Sequence, residues 1–124
     1  MDNARAVISL FGLAHAGRLD IFRLLVRAGP RGVAAGEIAR SLDVAPNSLS
    51  ANLKVLRQAG LIESRREGRW IIYAAVFSAM SDLVGFLLED CCGGSASVCA
   101  PLADIANRAL CRPSVVGKTL ETAP

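Results

Sequence analysis

The chain is poor in histidine: His15 is the only one in 124 residues. A tetrahedral zinc site needs four ligands, or three plus water, so a site built on imidazoles is excluded. There is no run of about 18 or more apolar residues, which excludes a transmembrane helix. No glycine-rich loop is present that would cradle a cofactor phosphate, which argues against a cofactor-dependent enzyme, and there is no internal repeat. Residues 6–16 are apolar and end in Ala14-His15-Ala16, a cleavage-like triplet. The segment before them is not clearly cationic, since it carries Asp2 as well as Arg5, and helical periodicity resumes directly over 18–28. The stretch reads as a buried helix, and the expected location is the cytoplasm, where four cysteines stand for metal or redox chemistry instead of structural disulfides.

What is present is one small domain with room for an added tail. Its hydrophobic fraction, 52%, is more than a monomer of this size can hide, and an apolar dimer interface follows. The net charge of +3 is unevenly placed: residues 31–75 hold seven Lys/Arg and four Asp/Glu, residues 76–124 three and five. A modest local excess of cations suits a dimer on a short stretch of double-stranded DNA.

That basic region holds the main motif. Residues 35–42 have the pattern of a short helix, Asp43-Val44-Ala45-Pro46 that of a turn, and Pro46 sits where its fixed φ and missing N–H suit a helix start. Leu49, Leu53 and Leu56 then recur at helical spacing and define an inward face. The opposite side carries Asn47, Ala51, Lys54 and Gln58, with Ser48 and Ser50 at its flanks. Short polar side chains plus a cation are what a helix needs to approach base edges and phosphates in a major groove. Gly60 ends this helix. Two strand-like runs follow, 61–64 and 69–73, with the turn expected at Arg65-Arg66-Glu67-Gly68. That places Arg65, Arg66 and Arg69 together at a hairpin tip, able to lie on phosphates or enter a minor groove. Helix, turn, helix and basic hairpin in this order make a winged helix-turn-helix, so the expected fold is mainly α with a small β-hairpin wing.

On either side of the motif, residues 5–13 read as a first, mostly apolar helix. Gly17 reads as a break, and 18–26 as a second helix with Leu19, Phe22, Leu25 and Val26 on one side and Ile21 and Leu24 beside them. Residues 28–32 are a loop by composition. A long helix is expected over 76–90, lined by Phe77, Met80, Leu83, Val84, Leu87 and Leu88, and a homodimer through the first and this C-terminal helix. Residues 1–92 would form the DNA-binding and dimerisation domain and 93–124 a ligand-binding loop and tail. Within the latter, 102–110 reads as a short helix and 112–124 as mobile.

The loop begins with Cys91-Cys92-Gly93-Gly94 and reaches Cys99 seven residues after Cys92. The glycine pair lets the chain turn back, so three sulfurs could converge if the helix end unwinds near Cys91. Three thiolates in a pyramid suit trivalent arsenic or antimony, because soft metalloids prefer sulfur. Cys111 would make four thiolates for zinc but has no motif around it. Buried apolar cysteines and a redox switch are the alternatives.

Leu13–Leu25, Glu37-Ile38-Ala39, Leu49–Ile62 and Arg66–Tyr73 together resemble the ArsR family of bacterial metalloregulatory repressors, over about residues 4–92. The resemblance implies a homodimer that binds operator DNA and leaves it when a metal or metalloid binds, with no enzymatic activity. The family often has Ser where Ala45 stands and His where Asn52 stands. Residues 33–44 lack the cysteines that some members carry there, whereas Cys91, Cys92 and Cys99 resemble the C-terminal set of arsenic-responsive members. The expected inducer is arsenite or antimonite. A thiol redox repressor or a zinc/cadmium sensor of the same fold is the alternative, and an arsenic-handling enzyme a more distant one.

Overall fold

A computed structural model describes residues 1–89 and residue 101. In order, the elements are helices α1 (Asn3–Leu13) and α2 (Ala16–Ala28), strand β1 (Val33–Ala34), helices α3 (Ala35–Leu42) and α4 (Pro46–Gln58), strands β2 (Ile62–Glu67) and β3 (Trp70–Ala75), and helix α5 (Phe77–Leu88). Met1–Leu87 packs as one unit. The cysteines, the end of the long helix at residue 90, the helix expected over 102–110, the tail and the proposed 93–124 domain lie outside the described residues.

The helices start where local chemistry lets them. Asp2 caps α1, its Oδ1 accepting from the Arg5 N–H at 2.8 Å. The break after α1 falls at Ala14-His15 and not at Gly17. The His15 Nδ1 accepts from the N–H groups of Gly17 (3.1 Å) and Arg18 (3.4 Å) and so caps α2. Gly17 lies inside the first turn, where a Cβ would meet the Asn52 Nδ2 and the His15 ring at 3.2 Å. The sole histidine therefore has a structural task at its Nδ1.

The core is built from Ile21, Phe22 and Leu25 of α2, Ile38 of α3, Leu49, Leu53 and Leu56 of α4, and Leu61, Ile62 and Ala75 around the sheet. Burying each large aliphatic contributes roughly 1.5–3 kcal/mol. Leu19 departs from the expected inward side of α2 and is exposed. The sheet has three strands in the order β1-β3-β2, all neighbours antiparallel. β1, a loop edge by composition, pairs Val33 with Tyr73 and Ala34 with Ile72. Its approach requires Gly32 (φ 76°), since a Cβ there would lie 2.5 Å from the Tyr73 carbonyl oxygen.

The wing differs from expectation in register. β2 extends to Glu67 and pairs it with Trp70, so the turn is the two residues Gly68-Arg69, with Gly68 at φ 64° in the first position, as a tight hairpin turn favours. Clustered charge suggested a turn at Arg65 and Arg66; both are strand residues.

The long helix also changes in detail. Of the six residues expected to line its face, only Leu83 is buried, while Phe77 and Met80 pack partly against the core and Leu87 is exposed. The first helix is not buried within the chain either. It buries Ala6, Ser9 and Gly12 and exposes Val7, Ile8, Leu10 and Phe11, the last at 69%.

Candidate nucleic-acid interface

The turn between α3 and α4 depends on Asp43, which takes the left-handed conformation (φ 53°) and ends α3 with its N–H directed to the Ala39 and Arg40 carbonyls. Asp tolerates this conformation better than most residues. Val44 follows with an N–H bond of 3.1 Å to the Ala39 carbonyl. Pro46 then opens α4, and Ala45 contributes no side-chain cap, which leaves the first-turn N–H groups at the surface, where a phosphate oxygen can accept from them.

With Leu49, Leu53 and Leu56 all under 5% exposed, the other side of α4 is fixed outward. Asn47, Ser48, Ser50, Ala51, Lys54 and Gln58 are all exposed. The helix thus offers two small hydroxyls, a methyl, two carboxamides and an ammonium along about 20 Å. Asn52 is half-buried and lies over the first turn of α2, against Gly17, so it belongs to the scaffold side of the helix.

The three arginines do not form one tip cluster. Successive strand residues face opposite sides of a sheet, so Arg65 and Arg66 diverge. Arg65 turns back to the chain: its Nε donates to the Glu67 Oε2 at 2.6 Å, its Nη1 to the Pro30 carbonyl at 3.4 Å, and its Nη2 to the Arg31 carbonyl. It braces the wing against the loop before β1, a task its position in the sequence did not suggest. Arg66 donates from Nε to the Gly68 carbonyl at 3.2 Å, and Arg69 is in the turn itself. These two remain exposed. Two further residues, not singled out by the sequence pattern, join the surface. Arg57 is an exposed cation one turn beyond Lys54, and the two line a shallow hollow with Gln58. Trp70, the sole tryptophan, is 59% exposed beside Arg69. An aromatic ring next to cations was the available signal.

A family model described as a helix-turn-helix domain matches residues 13–65, from the end of α1 into β2. The HTH-type transcriptional regulator YgaV of Escherichia coli (strain K12) is 30% identical over 88 residues, 71% of this chain and 87% of that protein. An ArsR-like transcriptional regulator from Rhodococcus sp. RHA1 superposes with a TM-score of 0.62 at 27% identity, covering 83% of this chain and 91% of that one. The chain belongs to the ArsR family of winged helix-turn-helix regulators. As an ArsR-family member it is a DNA-binding transcriptional regulator and not an enzyme. The homodimeric winged helix-turn-helix domain Mb0332 from Mycobacterium bovis, described as a possible ArsR-family regulator, is also similar, with a TM-score of 0.57, 29% identity, and coverage of 70% of this chain and 81% of that fragment. Within this fold α3 and α4 are the helix-turn-helix and β2–β3 the wing. Among the described residues no cluster of three or more His, Cys, Asp or Glu could hold a metal, and no helix is long and apolar enough to cross a membrane.

Proposed function

We propose that this regulator is a homodimeric repressor that binds operator DNA through α4 and the wing and is released by trivalent arsenic or antimony. The observation that carries the DNA half is the outward face of α4: Asn47, Ser48, Ser50, Ala51 and Lys54, all exposed over a leucine-packed inner side. Asn47 is positioned in the first turn, where a recognition helix meets base edges. Lys54, Arg66 and Arg69 supply phosphate contacts, and Arg65 acts by holding the wing in place. The dimer half is supported by the apolar outer side of α1 and by Leu87 of α5, and by the homodimeric state named for the Mycobacterium bovis domain.

The ligand half is supported by the donor set. Cys91, Cys92 and Cys99 are three thiols within nine residues that follow α5 directly in the chain, and three sulfurs suit a trivalent metalloid. If α5 belongs to the dimer interface, a ligand at its end is linked to operator binding through the geometry between the two readers. A hundredfold change in operator affinity corresponds to about 3 kcal/mol of coupling.

A mobility-shift titration with arsenite, antimonite, zinc and peroxide tests this. Release by arsenite or antimonite is expected in the wild type. Cys91→Ser and Cys92→Ser should bind the operator as the wild type does and resist release, Cys99→Ser should respond weakly, and Cys111→Ser should behave normally. Normal release of Cys91→Ser by arsenite would place the sensor elsewhere. Release by zinc alone, or by peroxide with reversal by reductant, would identify a zinc or redox regulator.

A further inference from the structure

α1 meets the end of the recognition helix at two points. Near its start, the Arg5 Nη2 donates to the carbonyl of Ala59 at 3.3 Å, across 54 residues of chain. Ala59 is the C-cap of α4 and is 4% exposed. The guanidinium also lies over Gly60, where a Cβ would come within 2.8 Å of Nη2. Near the end of α1, Gly12 faces the same residue: a Cβ there would stand 3.0 Å from the Ala59 Cβ and 3.3 Å from the Leu61 Cδ1. The last carbonyls of a helix have no partner within it and carry the negative end of its dipole, so an arginine from another element is a suitable partner for them. α1 is held at its own far end in the same manner, because Arg18 donates from Nε to the Gly12 carbonyl at 2.7 Å and from Nη2 to the Phe11 carbonyl at 3.3 Å.

We propose that Arg5 and Gly12 join α1 and the recognition helix into one rigid piece, so that α1 sets the direction in which α4 enters DNA. The inference rests on the dimeric reading above. The outer face of α1 (Val7, Ile8, Leu10, Phe11) is the surface offered to a second chain, and its inner side grips the last turn of the reader. The position of one α1 in the dimer therefore dictates the separation of the two recognition helices. In this scheme Arg5 is a positioning residue that acts through the Ala59 carbonyl and does not contact phosphate.

The test uses the full chain and an operator selected from random DNA by the wild type. Affinity is measured at the selected half-site spacing and with one or two base pairs added or removed, and over a salt series. Arg5→Ala is expected to bind the selected operator about tenfold more weakly, in keeping with removal of one charge-assisted hydrogen bond. It should weaken less at the altered spacings, so that discrimination between spacings flattens. Its salt dependence and its dimerisation, followed by sedimentation, should match the wild type. Arg5→Lys should restore part of the discrimination. Gly12→Ala, whose Cβ would stand 3.0 Å from the Ala59 Cβ and require that contact to widen, should flatten it independently. Wild-type spacing discrimination in both Arg5→Ala and Gly12→Ala overturns the proposal. So does a salt slope reduced by about 0.9 in Arg5→Ala, which would make Arg5 a phosphate ligand. A wild-type chain that is monomeric or selects no paired half-sites removes the dimeric reading, and this inference with it.

Discussion

α1 and α4 are similar in length, 11 and 13 residues, and opposite in construction. α4 turns three leucines inward and presents short polar groups and cations. α1 turns Ala6, Ser9 and Gly12 inward and presents Val7, Ile8, Leu10 and Phe11. Each helix is finished on one side only, and the unfinished side states the chemistry of what covers it. A polar, cationic face without a cap at its N-terminus suits a polyanion. A face of exposed aliphatic and aromatic side chains suits another apolar surface. Small residues on the inner side of α1 permit close approach to α4, so the two unlike surfaces are held in a fixed relation.

The largest effect that would break this contrast is at Leu56. It is fully buried, and Leu56→Ala should cost about 2–5 kcal/mol of unfolding free energy, read from urea denaturation. A smaller loss would mean that α4 is not anchored by its leucine side. On α1 the expectation is inverted. Phe11→Glu should disturb the fold of the single chain little, since the ring is already 69% exposed, yet weaken self-association by about 30-fold or more if the ring is an interface anchor worth about 2 kcal/mol. Sedimentation over a concentration series checks this, and unchanged association would assign the α1 face to a different partner.

The polar face divides further. Replacing Lys54, Arg66 or Arg69 by Ala should reduce the salt slope of operator binding by about 0.9 for each phosphate no longer neutralised, and weaken all sequences alike. Asn47→Ala should instead relax the preference at one base pair, by about 1–3 kcal/mol. Fluorescence of Trp70, the sole tryptophan, should change on operator addition if the wing reaches DNA; emission unaltered by saturating operator would remove the wing from the interface. The smallest effect is expected at Ala45→Ser, which supplies α4 with the cap it lacks. It should stabilise the fold by about 0.5–1 kcal/mol in thermal or urea unfolding, narrowing the contrast with α1, which Asp2 already caps.

Much of the fold and of the exposed side of α4 is legible in the sequence because the signals are local. The spacing of Leu49, Leu53 and Leu56 and the proline at position 46 define α4 and its outer residues without reference to the rest of the chain. The wing is legible as a hairpin but not in register, since clustered charge at 65–69 resembles a turn, whereas pairing of Arg65, Arg66 and Glu67 with Ile72, Ile71 and Trp70 continues the strand. β1 escapes notice because two residues carry no periodicity. Its existence depends on Tyr73 and Ile72, about forty residues away. The bracing bonds of Arg65 are hidden for a similar reason: its acceptors on Pro30 and Arg31 are adjacent only after β1 and β3 pair.

The sequence by itself determined the helix-turn-helix, its outward side chains and the thiol-rich stretch that follows, since helical periodicity, proline and glycine placement and donor chemistry act over a few residues. Only the tertiary structure decided which side of the mostly apolar α1 turns inward, that His15 is a helix cap, and that Arg5 closes the recognition helix. The His15 cap is local, two and three residues along the chain, but which turn it closes is visible only in the folded backbone; the other two depend on which distant group lies within hydrogen-bonding or contact distance. That distance is set when the core around Leu25, Ile38, Leu56 and Leu61 packs, and not by any neighbour in the chain.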